Sequence, residues 1–277
     1  ILHAETNRVY HLNVKAADVA DYIILVGDPA RVDRVAAQFD SIDYTSVNRE
    51  FVVKTGVYQG LRITALSTGI GCDNLDIVVN ELDAALNIDP ETRQVNGTLR
   101  KLTLIRLGTC GALQSDIQID STIVSAAVLG FDGVAHFYQT DHDSDSTNDN
   151  KSNNNDMATQ FMSHVNPWPV HWNRPYARLA SPVLLQHFGD LGTHGITLTA
   201  NGFFGPQGRS IRLPLVMPNM NERFRNFTYS DDQGNNNASK TTWRVTNFEM
   251  ECSALYALGQ ALGHDTLTMC VAIANRY

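Results

Sequence analysis

The residues able to do chemistry gather beside glycines. Arg106 closes an apolar run and is followed by Gly108-Thr109-Cys110-Gly111, while Gly27-Asp28-Pro29-Ala30-Arg31 and Ser67-Thr68-Gly69-Ile70-Gly71 close two others. A tight turn at a strand end leaves backbone amides free, and with a guanidinium and a hydroxyl beside them such amides hold anions. Arg31 falls in the first turn of an expected helix, where a cation is unfavourable unless a bound anion offsets it. Each fragment alone fits a surface turn with a solvated arginine equally well.

Two further stretches carry polar chemistry. Asn201-Gly202-Phe203-Phe204-Gly205-Pro206-Gln207-Gly208-Arg209 combines aromatic faces, an amide and a guanidinium fork, a set suited to a planar heterocycle bearing carbonyls. An ordinary surface loop has the same composition. Glu249 and Glu251 stand at the start of a helical pattern running to Leu262, where carboxylates are favourable on dipole grounds alone.

These groups need elements to hold them. Residues 22–26, YIILV, read as a strand, then a turn at Gly27 and the helix ARVDRVAAQF. VVKTGVY and LRITALS read as a meander, and the second leads through the 67–71 turn into the helix LDIVVNELDAAL, with Asp73 or Asn74 as cap. Residues 102–114 read as a third strand-turn unit, with the turn at 108–111. Three such loops on one side of a sheet place ligand groups outside the carboxyl ends of its strands. STIVSAAVL, GITLTA and TLTMCVAIA read as further strands, and residues 181–188 as a helix.

At 277 residues, 43% of them apolar, the chain has the means for a substantial core. A net charge of −8 argues against general affinity for nucleic acid or anionic membrane, so any anion must be held by a local cluster of cations. No apolar run approaches the roughly 20 residues of a membrane span, and no basic-then-apolar leader is present. The expectation is a cytoplasmic chain. Cys72, Cys110, Cys252 and Cys270 share no metal-ligand or redox spacing and read as free thiols. Residues 141–157 hold five Asp, five Asn and three Ser, and about 139–157 reads as a flexible polar insertion within a single domain. Its DHDSDS start lacks the glycine and glutamate of a calcium loop.

Taken in order, Gly27-Asp28-Pro29-Ala30-Arg31, Arg49-Glu50-Phe51, the 67–71 turn, Arg106-Leu107-Gly108-Thr109, the 203–209 loop and Phe248-Glu249-Met250-Glu251 resemble the nucleoside phosphorylase-I family, most closely its uridine phosphorylase branch. The resemblance runs from about Tyr10 to Arg276. It implies a single-domain three-layer α/β/α fold around a mixed, partly barrel-like sheet, assembled as a homohexamer of three dimers.

The resemblance also implies roles. Gly27, Arg31, Arg106 and Thr109 would bind phosphate as co-substrate, with Arg49 reaching in from a neighbouring subunit. Glu251 would hold the ribose 2′- and 3′-hydroxyls, Met250 would pack on the sugar, and a partner's His11 would meet the 5′-hydroxyl. Phe203 would stack near the nucleoside, Gln207 and Arg209 would bind the uracil edge, and Thr109, Gly111 and Glu249 belong to the same nucleoside site. Glu50 and Ile70 match positions that hold a monovalent cation in some members, and Asn74 stands where those members often have serine. No other cofactor is implied.

Phosphorolysis of an N-glycosidic bond suits these residue types. Phosphate replaces water as the group attacking an oxocarbenium-like sugar, and its alignment on C1′ by arginines makes the attack effectively unimolecular. Donors on the base edge strengthen as the departing uracil gains charge. A purine-cleaving member would carry an aspartate after the last strand, where Asn275-Arg276 stands here. A nucleosidase of the same fold has little use for three phosphate arginines, and a non-catalytic storage or binding relative would leave Glu251, Gln207 and Arg209 idle.

Overall fold

A computed structural model describes residues 2–3, 5–139, 157–231 and 241–277. The insertion expected at 139–157, with its calcium-like start, falls almost wholly outside the described residues. The strands are β1 (Tyr22–Val26), β2 (Ser41–Asn48), β3 (Phe51–Tyr58), β4 (Leu61–Ser67), β5 (Thr103–Ala112), β6 (Thr122–Gly130), β7 (Tyr176–Leu179), β8 (Thr193–Thr199), β9 (Thr228–Asp231), β10 (Thr241–Glu249) and β11 (Asp265–Asn275). The helices are α1 (Pro29–Ala36), α2 (Cys72–Asn87), α3 (Met157–Val165), α4 (Pro182–Phe188), α5 (Met220–Arg225) and α6 (Cys252–Ala261).

One mixed sheet takes all the strands, in the order β2-β3-β4-β1-β5-β11-β6-β8-β10-β9, with β7 on β6. The partly barrel-like character has a definite origin. β10 also pairs antiparallel with β5, through Phe248↔Gly111 and Asn247↔Ala112. The path β5-β11-β6-β8-β10 thereby returns to β5 as a closed ring, and β1, β4, β3 and β2 extend from it as an open wing. Closure leaves those five strands without a free edge.

Strand alternation sorts the helices into two layers. Ile23 and Leu25 of β1 join a core with Leu75, Val79 and Leu82 of α2 and Leu255 and Leu258 of α6. Ile24 and Val26 face the other way, onto Val32 and Val35 of α1. In the same manner Val124 and Val128 of β6 pack with α6, while Ala127 and Leu129 pack with Phe161 of α3 and Phe224 of α5. The three-layer α/β/α arrangement follows. Among the described residues no helix is long and apolar enough to cross a membrane. All four cysteines are buried and free.

Three expectations need correction. The turn placed at 108–111 does not exist: β5 runs through it to Ala112, parallel to β1 and β11 on its two sides, and no helix follows. The glycines there answer to side-chain room. A Cβ on Gly108 would collide with Arg106 Nη1 and one on Gly111 with Arg276 Nε. Second, Glu249 ends β10 instead of opening a helix, and α6 begins at Cys252 with Glu251 in the cap position. Third, neither Asp73 nor Asn74 caps α2; Gly71, at φ 99°, holds that position. Its N–H donates to Glu251 Oε1 at 2.8 Å, so a tertiary contact replaces the local cap.

The ring has one loosened seam. β6 and β11 pair at Val124↔Met269, Ile123↔Cys270 and Thr122↔Val271. At the next step the fully buried Tyr256 of α6 inserts its hydroxyl, donating to Ser125 O at 2.7 Å and accepting from Thr268 N at 2.9 Å. Tyr256→Phe strands both backbone groups without a partner, and urea unfolding is expected to show a loss of about 1–3 kcal/mol.

Candidate active site

β4 and β1 end in register, at Ser67↔Val26, beside Leu107 in the middle of β5. Their ends are stitched together by Gly69 N–H donating to Gly27 O at 3.0 Å, and tied to β5 by Arg31 Nη1 of α1 donating to Leu107 O at 3.3 Å. A Cβ on Gly27 would stand 3.1 Å from Arg31 Nη2, so glycine there leaves space for the guanidinium. Beyond these ends opens a cleft of about 740 Å³. Gly27, Arg31, Arg106, Thr109 and Gly111 line it, together with Phe203, Gln207 and Arg209 from the loop after β8 and Glu249, Met250 and Glu251 from the β10–α6 junction.

A buried charge cluster occupies its floor. The Arg106 guanidinium, 3% exposed, donates through Nη2 to Glu251 Oε2 and lies 3.4 Å from Glu249 Oε2 through Nη1. Burial pulls the Arg106 pKa down, but Glu251 and then Glu249 pull harder, and the net displacement is upward. Arg106 is a fixed cation. Glu249 receives more support than an ion pair alone gives: its Oε2 accepts from Glu251 N at 2.8 Å and Cys252 N at 2.9 Å, and its Oε1 from Thr199 Oγ1 at 2.5 Å. It therefore stands in for the side-chain cap that α6 lacks. Burial pushes the Glu249 carboxyl up to about 7; Arg106 draws it back and Glu251 pushes it further.

The loop after β8 supplies a different surface. Gly205–Gln207 forms a short 3-10 turn. Arg209 lies 3.7 Å over the Phe203 ring and donates through Nε to Phe203 O at 3.0 Å. Gln207 is buried, and its Oε1 accepts from Arg276 Nη1. Burial first, then the Arg209 charge, lowers the Arg276 pKa to about 10. Two guanidiniums thus share one part of the cleft, and among the described residues neither forms an ion pair. That is a surface set for an electron-rich ligand edge.

Arg276 also lines the cleft and is not among the residues expected there from the sequence. Its signal was available as a cation directly after the last apolar strand, but only the ring brings that strand end to Gly111 and Gln207.

Two expected site residues lie elsewhere. His11 is held by Glu81 of α2, with Nδ1 2.6 Å from Oε1 and the His11 N–H also bonded to that carboxylate. Arg49 is exposed in the β2–β3 turn at φ 54° and is not part of this chain's own cleft. Glu50, Ile70 and Asn74 do line it, and Asn74 Nδ2 donates to Glu50 Oε1 at 3.3 Å.

The Glu249 shift has a sign. Its folded-state pKa lies above the ordinary 4.5, so the native state holds a proton that the unfolded chain releases between about pH 4.5 and 7. This group's contribution is present at the acid end of that window and is lost as pH rises through it. Glu249→Gln should flatten that limb of the stability-pH curve, an effect bounded by roughly 3 kcal/mol; chemical unfolding across the window measures it.

The sequence pattern of the phosphorylase superfamily matches residues 21–277. A uridine phosphorylase of Thermococcus kodakarensis is 29% identical over 98% of this chain and 79% of its own length. A uridine phosphorylase of Haemophilus influenzae is 27% identical over 97% of this chain and 86% of its own. Among solved structures, a Trypanosoma brucei nucleoside phosphorylase described as showing uridine phosphorylase activity superposes with a TM-score of 0.81 at 27% identity, covering 100% of this chain and 90% of that one. With the superfamily pattern running through β1, the charge cluster at Arg106 and the closing strand β11, the chain belongs to the phosphorylase superfamily.

Proposed function

We propose that the protein catalyses the reversible phosphorolysis of uridine to uracil and ribose 1-phosphate. The observation that carries this reading is the direct contact between Arg106 and Glu251 in a cleft that also holds Gln207, Arg209 and Arg276. A cation fit for phosphate, a carboxylate fit for the sugar hydroxyls and donors fit for the base edge are then parts of one surface. The uridine phosphorylases among the relatives support the same substrate.

In this reading Arg31, Arg106, Thr109 and the backbone near Gly27 hold phosphate. A phosphate oxygen forms a bond to C1′ as the C1′–N1 bond breaks, and the electron pair leaves with the uracil. Glu251 accepts from the ribose hydroxyls and, as an anion, favours the cationic character that develops on the sugar. Gln207, Arg209 and Arg276 receive the charge that accumulates on the base, so their hydrogen bonds strengthen in the transition state. A proton from solvent then neutralises the uracil anion. No protein nucleophile takes part.

Completion of this site needs a second copy of the chain. His11 and Arg49 do not line the chain's own cleft, and in this reading a neighbouring subunit brings its own His11 and Arg49 to the 5′-hydroxyl and the phosphate. A cytoplasmic homohexamer of three such dimers is the assembly proposed. Arg49→Ala and Glu251→Ala proteins, each inactive alone, are expected to regain activity when exchanged into mixed dimers; no recovery in verified mixed dimers refutes the shared site.

The direct test of the reaction is an assay of uridine, thymidine, inosine and methylthioadenosine with and without phosphate. Uridine cleavage that requires phosphate and yields ribose 1-phosphate is expected. Cleavage indifferent to phosphate refutes the phosphorylase reading, and a preference for inosine moves the enzyme to purines.

A further inference from the structure

We infer that the Asn74 amide does in this protein what a monovalent cation would do beside Glu50, and that the protein's stability and its hold on phosphate need neither potassium nor sodium. The resemblance to cation-holding relatives makes Glu50, Ile70 and Asn74 candidate ligands, and the geometry here does not fit one. A cation at this carboxylate requires lone pairs from its neighbours. Asn74 offers Glu50 the opposite: Nδ2 donates to Oε1 at 3.3 Å. The donor end faces Glu50 because the amide oxygen in that place would oppose a carboxylate. An ion entering there would have to break this bond and turn the amide over before Asn74 Oδ1 could face it.

The amide is built into the site and does not merely touch it. It lies so close over the Gly69 backbone that a Cβ on Gly69 would collide with Nδ2 and stand 3.1 Å from Glu50 Cγ. Gly69, at φ 70°, therefore serves both the turn and the amide. The same turn is tied to the Arg49-Glu50 turn by Ser67, whose Oγ donates to Glu50 O at 2.6 Å and accepts from Val52 N at 2.7 Å. Gly69 N–H in turn donates to Gly27 O. Asn74, on the first turn of α2, thus completes a brace linking the β2–β3 turn, the β4–α2 turn and the β1–α1 turn. In a cation-dependent site an ion would bridge these loops; here one amide does. Asn74 acts as a positioning residue, through Glu50 and Gly69.

The inference uses the phosphate subsite of the proposed reaction, so its test reads binding and unfolding and does not require turnover. The parent protein and Asn74→Ser are melted in potassium chloride and in choline chloride at equal ionic strength, with and without inorganic phosphate. The parent should melt at the same temperature in both salts and show the same phosphate-induced rise; a saturable gain specific to potassium overturns the inference. In choline chloride Asn74→Ser should melt several degrees lower and lose most of its phosphate-induced rise. An unchanged variant overturns the bracing role. Potassium chloride should restore Asn74→Ser, because serine offers hydroxyl lone pairs without an amide N–H already bonded to Glu50. No recovery overturns the equivalence of amide and ion. Equilibrium dialysis against rubidium gives an independent readout: none retained by the parent is expected, and one ion bound per chain or per pair of chains refutes the inference. A protein that passes these arms yet cleaves no uridine leaves the inference standing and refutes the proposed reaction.

Discussion

One guanidinium between two carboxylates governs the architecture of the cleft. Arg106 comes from β5, Glu249 from the end of β10 and Glu251 from the residue before α6, and all three are removed from water. Breaking such a cluster by removing one member leaves an uncompensated buried charge, a cost of several kcal/mol, while its formation is close to neutral against an apolar core. The cluster is therefore weak as glue and strong as a specification. It allows one relative placement of β5, β10 and the start of α6, and that placement opens the cleft.

The backbone has been shaped to accommodate it. Gly108 and Gly111 leave β5 bare where the side chains of Arg106 and Arg276 must lie. Gly71 at the head of α2 donates to the carboxylate oxygen of Glu251 that Arg106 does not take. Glu249 spends its lone pairs on the first amides of α6. A helix terminus, a strand end and a charged side chain thus satisfy one another without a local capping motif, while Arg106 Nε stays buried without a partner.

Much of this was legible in the residues. Period and turn chemistry located β1, β3, β4, α1 and α2 closely, because an apolar run ended by glycine has few alternatives. Gly27, Arg31, Arg106, Gln207, Arg209 and Glu251, which line one cleft, are legible as candidates, since each stands near a glycine or a helix start. What misled was reading glycine only as a turn former. At 108 and 111 it is a strand residue chosen for the volume it does not occupy, and local pattern cannot distinguish the two uses. The apolar spacing continues across the strand-to-helix change, so pattern alone carries Glu249 into the helix. Arg276 and the Asn74–Glu50 contact depend on elements brought together by the sheet, and no short-range signal carries them. The β2, β7 and β9 strands are short or exposed, so their alternation is faint.

The place of β11 in the ring bears on how the molecule comes into being. It is synthesised after the ten strands it joins, yet it lies between β5 and β6 in the middle of the sheet. Until it arrives, β5 has within the ring only its short pairing with β10, and β6 has no neighbour on the side facing β5. A nascent chain therefore carries two open strand edges at its centre, the kind of surface that recruits other chains when left exposed. The residue that follows β11, Arg276, is also the one that orients Gln207. Chains halted before β11 should consequently be aggregation-prone and lack the Arg276–Gln207 contact, which makes the arrival of β11, and not assembly of the early βα units, the event that closes the ring and completes the cleft.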